Sequence, residues 1–312
     1  MQLAPEKDRS ISKAVVLGGN GALGSLFCAQ LARDVDQVIA IDLQTAPPRG
    51  TENVELLHSD ARDLTPEAKT ALSDADLVIL ALPENVALNS LAGITSILRQ
   101  KALLVDTLSV KIPFVNAIRN TQLPEEIISI NPMFAPSLGF GGQSTAVIAI
   151  ERGPLANRFL ELIQAWGCRL VFLTAEEHDR STAMLQTITH AAILTFGMSL
   201  HKLGYDLSSA EPLIPPPHRA MLALVARILS ADPEVYWDIQ LSNPFAAEAR
   251  EALLDSVRQL SEVIDNGNQR DFLSINDALH TVIGPKQLPQ FQQYCVRMFE
   301  VFKQPNDPEK KP

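Results

Sequence analysis

The chain has 312 residues, of which 46% are hydrophobic and 20% are charged, and these proportions are ordinary for a globular protein. They exclude a mainly disordered, collagen-like or disulfide-scaffold chain, because enough apolar material is present for a core. Twenty-six Lys and Arg against 36 Asp and Glu leave a net charge of −10, which argues against nucleic acid and anionic membranes as partners. The length predicts about two domains.

The cysteine pattern and the N-terminus predict a soluble protein of the reducing cytoplasm. Cys28, Cys168 and Cys295 are odd in number and widely separated, so neither a disulfide framework nor a metal site is expected. Residues 1–8 contain no apolar core that would mark a signal peptide. No apolar run approaches the roughly 18 residues that a membrane helix needs, so no membrane association is expected.

Short apolar runs alternate with helix-length stretches between about residue 13 and residue 174. Such continuous Val, Ile and Leu runs are typical of strands buried on both faces of a parallel sheet. The alternation predicts an α/β Rossmann-type doubly wound domain over residues 1–175. The strand candidates lie at residues 14–17, 37–41, 77–82, 103–105, 127–130, 146–150 and 169–173.

The pattern of apolar residues changes after Ala175, where long segments have helical spacing and few β-branched runs. These segments predict an all-α second domain over residues 176–303. The run Pro215–Pro216–Pro217 is expected to break the chain between two of its helices. Residues 304–312 are charged and proline-rich, and we expect them to form a disordered tail.

A glycine-rich turn follows the first predicted strand directly. It fits the pattern G-x-G-x-x-G, with a strand before it and a helix after it. The first glycine permits a tight turn, the second lets backbone N–H groups approach a pyrophosphate, and the third lets the helix lie close to the sheet. We therefore expect a dinucleotide at the helix N-terminus. The candidate cofactor-binding residues of this turn are Gly19, Asn20, Gly21, Ala22, Leu23 and Gly24.

An acidic residue strengthens this interpretation. Asp42 ends the second predicted strand, 18 residues after Gly24, where a carboxylate would accept hydrogen bonds from the adenosine ribose and repel a 2′-phosphate. Because no arginine follows Asp42 directly, NAD is favoured over NADP. A Rossmann-like turn without a cofactor is the alternative. Leu82 and Pro83 follow another strand and are expected to line the nicotinamide side, although a plain strand-to-loop turn would have the same pattern.

Further motifs make the chain resemble prephenate dehydrogenases from about residue 12 to residue 302. The resemblance implies an NAD-binding domain followed by a helical dimerisation domain, and hence a homodimer. It also implies oxidation of a cyclohexadienyl dicarboxylate at C4 by hydride transfer to NAD, with loss of CO2. The matching segments are residues 106–111 (DTLSVK), Trp166–Gly167, Glu177–His178–Asp179, Arg227, Asp232–Pro233 and Tyr236.

One position departs from the family signature H-P-M-F-G-P. Residues 131–136 are NPMFAP, so the histidine that bonds the C4 hydroxyl in the family is Asn131 here, and the glycine is Ala135. An asparagine side chain cannot act as a general base near neutral pH, although it accepts and donates hydrogen bonds. Either the enzyme is disabled, or the C4 group has changed from a hydroxyl to an amine. The chain resembles the small family branch that acts on 4-amino-4-deoxyprephenate in para-aminophenylalanine and related antibiotic pathways.

The resemblance implies roles for further residues, and each has a structural alternative. Ser109 matches the serine that reaches the C4 substituent, but a strand-end hydroxyl could instead cap the next turn. Lys111 matches a lysine near the site, although an exposed lysine would fit the pattern nearly as well. His190 matches a histidine that we expect to line the site, whereas a lone histidine on an apolar helix face is more often a core residue. His178 is expected to be structural, at the domain junction.

Arg227 is the strongest candidate for binding a substrate carboxylate, because arginine offers a planar pair of donors. Arg219 precedes it by eight residues and therefore lies roughly on the same helix face. It either contacts the second carboxylate or forms a structural ion pair. Tyr236 and Trp237 pack near the substrate or in the dimer core, and the core is the simpler expectation.

The leading hypothesis is an NAD-dependent dehydrogenase that converts 4-amino-4-deoxyprephenate to 4-aminophenylpyruvate. Asn131 and Ser109 would orient the C4 amine, and Arg227 would anchor a carboxylate. The second hypothesis is an ordinary prephenate or arogenate dehydrogenase, in which His190 or a water takes the proton. The third is a non-catalytic NAD- or metabolite-binding protein, and the intact set of Ser109, Lys111 and Arg227 argues against it.

Overall fold

The computed structural model describes residues 10–45, 53–119 and 124–302, which form two compact units. The first, called the sheet unit, runs to Thr182 and takes in Leu241–Pro244. The second, called the helical unit, comprises Ala183–Gln240 and the chain from Phe245 onward. The sequence-based boundary between residues 175 and 176 stays a prediction. The predicted disordered tail, residues 304–312, lies outside the described residues.

The sheet unit is built on eight strands in one sheet. The strands are β1 (Lys13–Leu17), β2 (Gln37–Asp42), β3 (Glu55–His58), β4 (Leu77–Leu80), β5 (Leu103–Asp106), β6 (Glu126–Pro132), β7 (Ser144–Glu151) and β8 (Arg169–Phe172). Their order is β3-β2-β1-β4-β5-β6-β7-β8, and every neighbouring pair is parallel except β6 and β7. The connection between β6 and β7 contains a short 3-10 helix, Pro136–Leu138, instead of the crossover helix that a parallel pair needs.

Helices cover both faces of this sheet. They are α1 (Ala22–Leu31), α2 (Pro66–Asp74), α3 (Glu84–Thr95), α4 (Ile112–Ile118), α5 (Pro154–Ala165) and α6 (Ala175–Thr182). Successive residues of β1 enter different cores, because side chains alternate across a strand. Val16 packs in one core with Phe27 and Phe159, while Val15 packs in the other with Leu72. The predicted doubly wound α/β fold is therefore confirmed.

The strand β3 was not predicted from the sequence. Its two central leucines, Leu56 and Leu57, are only half buried, and a charged residue and a histidine flank them. The apolar run of β3 is only two residues long, whereas strands buried on both faces have longer continuous runs.

The helical unit contains no strand among its described residues, as the all-α prediction requires. Its helices are a π-helix (Ala183–Thr187), α7 (Ile188–Lys202), α8 (Leu207–Ala210), a 3-10 helix (Glu211–Leu213), α9 (Pro216–Leu229), α10 (Pro233–Leu241), α11 (Ala246–Asp265), α12 (Gln269–Ile283) and α13 (Leu288–Val301). Pro215 is the N-cap of α9 and Pro216 is its first residue. The proline run therefore starts a helix, where a missing N–H costs nothing.

One helical stretch, residues 175–202, is long and apolar enough to cross a membrane by length and composition alone. This corrects the expectation that no stretch approaches that length, since scattered polar residues interrupt its apolar runs but leave its mean hydropathy high. A single helix of this kind is weak evidence for a membrane span, because a core helix of a soluble protein passes the same test.

Candidate active site

The glycine-rich turn joins β1 to α1 through a backbone that side chains would obstruct. Gly18 has a φ of +76°, in the left-handed region that glycine tolerates. A Cβ on Gly24 would lie only 2.0 Å from the carbonyl oxygen of Gly18, so α1 packs directly on the turn. No side chain caps α1, whose N-cap is Gly21. Its first N–H groups are therefore available to an anion such as a pyrophosphate.

Asp42 lies against this turn at the end of β2. Its carboxylate accepts hydrogen bonds from the backbone N–H of Asn20 at 2.9 Å and from that of Gln44 at 3.0 Å. These bonds hold the carboxylate beside the turn, and each oxygen still has a lone pair for a ribose hydroxyl. The compact glycine turn and the fixed acid together fit the adenosine half of NAD.

Leu82 and Pro83 follow β4, next to the same turn. An ideal Cβ on Gly18 would lie 2.1 Å from the carbonyl oxygen of Ala81, which shows how closely the two segments approach. Pro83 is the N-cap of α3. The structure thus brings these residues to the carboxyl ends of adjacent strands, where doubly wound proteins bind their ligands.

Lys111 is fully buried beneath the segment that follows β5. Its ammonium group donates to the Asp106 carboxylate at 2.8 Å and to the carbonyl oxygen of Ile130 at 2.6 Å. Burial lowers the pKa of Lys111, and the charge of Asp106 opposes that shift. The exposed-lysine alternative is wrong, since neither the lysine nor its partner carboxylate has any exposed side-chain surface. Lys111 therefore ties the ends of β5 and β6 together.

Ser109 is partly exposed on the same segment. Its hydroxyl forms no hydrogen bond with the described part of the chain, and no side chain caps the following helix, α4. The alternative in which the Ser109 hydroxyl caps the next turn is therefore wrong. The hydroxyl is free to contact a ligand.

Asn131 lies near the end of β6 with only 4% of its surface exposed. Its amide nitrogen Nδ2 is 3.1 Å from Nε2 of His178. The other ring nitrogen of His178, Nδ1, is 2.7 Å from Oδ1 of Asp179. That carboxylate in turn accepts the backbone N–H groups of Lys111 and Ile112, each at 2.8 Å. A continuous chain of hydrogen bonds thus runs from the start of α4 through Asp179 and His178 to Asn131.

The contact between Asn131 and His178 was not predicted from the sequence. The expected structural role of His178 at the domain junction stays a prediction, and the structure adds that its ring lies against the amide of Asn131. The signal available in the sequence was the E-H-D motif itself, because a buried histidine beside an aspartate is a common way to orient a ring. Burial lowers the pKa of His178, with the Lys111 charge acting in the same direction.

The remaining candidates lie in the helical unit. The ring centroid of His190 is 4.8 Å from that of Tyr236 in an edge-to-face contact, and burial together with the charge of Arg227 lowers the pKa of His190. Nδ1 of His190 is buried and has no hydrogen-bond partner in the described residues. Trp237 is 63% exposed, so it does not belong to the core of this unit.

The two arginines differ in their surroundings. Arg219 forms an ion pair with Glu211 at 3.7 Å, as the structural alternative for this residue expected. Arg227 is exposed and forms no ion pair with any described residue. Its guanidinium is therefore the one of the two that is available to an anionic ligand.

Comparison with known proteins identifies the class. A model of the prephenate dehydrogenase nucleotide-binding domain matches residues 34–146, and a model of the prephenate dehydrogenase dimerization domain matches residues 174–276. The chain belongs to the prephenate dehydrogenase family. The predicted family, the enzyme class of NAD-dependent dehydrogenases and the cofactor NAD are thereby confirmed.

Particular relatives are similar to the chain over most of its length. A 4-amino-4-deoxyprephenate dehydrogenase from Streptomyces pristinaespiralis is 39% identical over 287 residues, which cover 92% of this chain and 96% of that protein. The T-protein of Enterobacter agglomerans is 28% identical over 87% of this chain and 66% of its own length. A crystal structure of prephenate dehydrogenase from A. aeolicus, in complex with hydroxyphenyl propionate and NAD+, matches with a TM-score of 0.67 and 17% identity. It covers 95% of this chain and 100% of that chain, and at this identity it supports the fold alone.

Proposed function

We propose that the chain oxidises and decarboxylates 4-amino-4-deoxyprephenate to 4-aminophenylpyruvate, in para-aminophenylalanine-type or antibiotic biosynthesis. The observation that carries this proposal is Asn131, a buried amide in the position of the family's histidine base, held by His178. The name of the Streptomyces pristinaespiralis relative supports the same substrate.

An asparagine suits a C4 amine better than a C4 hydroxyl. In the reaction a hydride leaves C4, the bond to the ring carboxylate breaks to release CO2, and the electron pair of that bond completes the aromatic ring. A neutral nitrogen stabilises the positive charge developing at C4 better than an oxygen does, so the step depends less on a general base. The amide oxygen of Asn131 accepts an N–H of the amine.

The side chains proposed to bind the substrate differ in whether they already have partners in the structure. Ser109, whose hydroxyl has no partner in the described part of the chain, would contact the C4 substituent. Arg227 anchors a carboxylate through its planar pair of donors, and His190 lines the same part of the helical unit. Arg219, already paired with Glu211, has the smaller role. Lys111, which binds the carbonyl oxygen of Ile130 next to Asn131, acts as a positioning residue.

The cofactor residues are those of the glycine turn and the end of β2. The glycine turn at residues 19–24 would place the pyrophosphate at the uncapped N–H groups that begin α1, Asp42 would bind the ribose, and Leu82 and Pro83 would line the nicotinamide side. Bound NAD supplies the acceptor for the hydride that leaves C4. The carboxylate of Asp42 favours NAD over NADP, because it would repel a 2′-phosphate.

We also propose that the protein is a homodimer and that it is located in the cytoplasm. The family model of the helical half is named for dimerization. The cytoplasmic location rests on the free cysteines Cys28 and Cys168, both of which are buried in the sheet unit.

A second candidate is a prephenate or arogenate dehydrogenase of tyrosine biosynthesis. The buried Nδ1 of His190, which has no hydrogen-bond partner among the described residues, favours it, because an imidazole nitrogen can act as a general base whereas an asparagine amide cannot.

The test is the initial rate of NADH formation with prephenate, arogenate and 4-amino-4-deoxyprephenate under identical conditions. We expect kcat/KM to be highest for the amino compound. A higher value for prephenate or arogenate would reject the proposed substrate and assign the chain to the second candidate.

A further inference from the structure

We infer that His178 is a positioning residue that fixes the orientation of the Asn131 amide, so that Oδ1 is the atom offered to the C4 substituent. The inference rests on the proposed function, since it explains how the buried amide serves an amine. It concerns side chains that the hydrogen-bond geometry places in contact within the sheet unit.

Along the series of hydrogen bonds from Asp179 through His178 to Asn131, the direction of each bond determines the direction of the next. Asp179 is an acceptor, and both of its oxygens already receive the N–H groups at the start of α4. Nδ1 of His178 must therefore donate to Asp179. A neutral ring that is protonated on Nδ1 has a lone pair on Nε2. Nδ2 of Asn131 donates to that lone pair, and Oδ1 remains to accept.

The ring is neutral because its surroundings disfavour an added proton. His178 is 1% exposed, and the buried ammonium of Lys111 adds repulsion. The carboxylates of Asp179 and Asp106 act in the opposite direction, but desolvation is the largest influence and the pKa of His178 is lowered. The lone pair on Nε2 is thus kept across the neutral pH range.

The orientation has a chemical consequence at C4. If the amide were reversed, Nδ2 would face the amine and donate to its nitrogen lone pair. That hydrogen bond would withdraw the electron pair that must stabilise the developing positive charge. With Oδ1 in place, the amide accepts an N–H and leaves the lone pair free. His178 therefore favours the amine without touching the substrate.

The first test needs no substrate. Imidazole nitrogen NMR shifts of the protein, with and without NAD, would be assigned to His178 by their loss in a His178→Gln variant. We expect a neutral ring protonated on Nδ1, with Nε2 unprotonated and shifted by a hydrogen bond. A ring protonated on Nε2 would overturn the inference, because Nε2 would then demand Oδ1 of Asn131.

The second test compares kcat/KM for the amino substrate with kcat/KM for prephenate. In His178→Leu, which cannot accept from Nδ2, we expect the preference for the amino substrate to fall about tenfold, the effect of one hydrogen bond. In His178→Gln, whose side-chain oxygen can occupy the Nε2 position, the preference should be retained. A purely structural role would lower both kcat/KM values together and leave their ratio unchanged.

The Asn131→Ala background provides the matched control. It has no amide to orient, so His178→Leu should not alter the preference further in that background. NAD affinity verifies that each variant is folded. If wild type lacks an amine preference, the proposed function fails, and the NMR result alone decides the inference. If wild type prefers the amine and His178→Leu does so equally, only the inference fails.

Discussion

At the scale of single residues, Asn131 has lost the ability to take a proton but keeps a defined place in a buried hydrogen-bond chain. Its amide contacts His178, and the ring of His178 contacts Asp179. A buried amide without partners is costly, and the contact with His178 reduces that cost. The same contact limits how the amide can turn, so the test of its role is to replace it.

Replacing Asn131 by histidine should restore a base at C4. We expect Asn131→His to raise kcat/KM for prephenate relative to the amino substrate by about 100-fold, the lower range of general acid–base effects. The measurement is NADH formation with both substrates, and NAD affinity should not change. An unaltered ratio would remove Asn131 from the explanation of specificity.

Acidification should weaken the folded state through the buried histidines. The pKa values of His178 and His190 are lowered by burial, so below about pH 6.5 the unfolded chain binds protons that the folded chain does not. Stability is therefore complete above that pH and falls as the pH drops towards the lowered pKa values. Urea-unfolding midpoints measured from neutral to acid pH test this sign. His178→Gln should show a shallower decline, and a steeper one would contradict the assignment.

Replacing either of the two arginines of α9 should affect KM to a different extent. Arg227 is exposed and without an ion pair among the described residues, whereas Arg219 is bound to Glu211. We expect Arg227→Ala to raise KM for the dicarboxylate by about tenfold or more, as the loss of a charged hydrogen bond implies, with NAD binding intact. Arg219→Ala serves as the matched variant and should change KM less. Equal effects would show that the ion pair of Arg219 does not set it apart.

At the scale of elements, the sequence patterns located seven of the eight described strands, since Val, Ile and Leu runs form β1, β2 and β4 through β8, although β8 is mostly exposed rather than buried on both faces. They did not reveal β3, which is half buried, or the antiparallel pairing of β6 with β7. They identified Asn131 as a candidate site residue but did not reveal that its amide contacts His178. Asn131 and His178 are 47 residues apart, and periodicity predicts burial but not which distant side chains meet.

The contact between α1 and the glycine turn is so close that a single added methyl group should disturb it. A Cβ on Gly24 would lie 2.0 Å from the Gly18 oxygen, so Gly24→Ala must move α1 away from β1. We expect a loss of stability of roughly 1–3 kcal/mol, as for overpacked sites, and weaker NAD binding. Gly93, within α3, has nothing within 4 Å of an added Cβ, so Gly93→Ala should be neutral or stabilising. Denaturant unfolding and NAD titration of both variants provide the comparison.

At the scale of the whole molecule, the helical unit leaves large apolar side chains exposed. Val257 and Ile264 of α11 are 56% and 58% exposed, and Val282 of α12 is 79% exposed. Apolar surface of this extent is typical of an interface. We therefore expect light scattering to give twice the 34.1 kDa mass of one chain. A mass of one chain at micromolar concentration would reject the homodimer.

The buried pair of Lys111 and Asp106 also limits how this enzyme can change over evolutionary time. Removing either partner alone would strand the other charge in the interior, at a cost of roughly 3–5 kcal/mol, whereas exchanging both for apolar residues can be neutral. The two positions are thus expected to be inherited together. Lys111 also binds the carbonyl oxygen of Ile130, the residue before Asn131. The pair therefore fixes the backbone on which the substrate-facing amide stands, and a change of substrate preference at Asn131 would have to leave both charges in place.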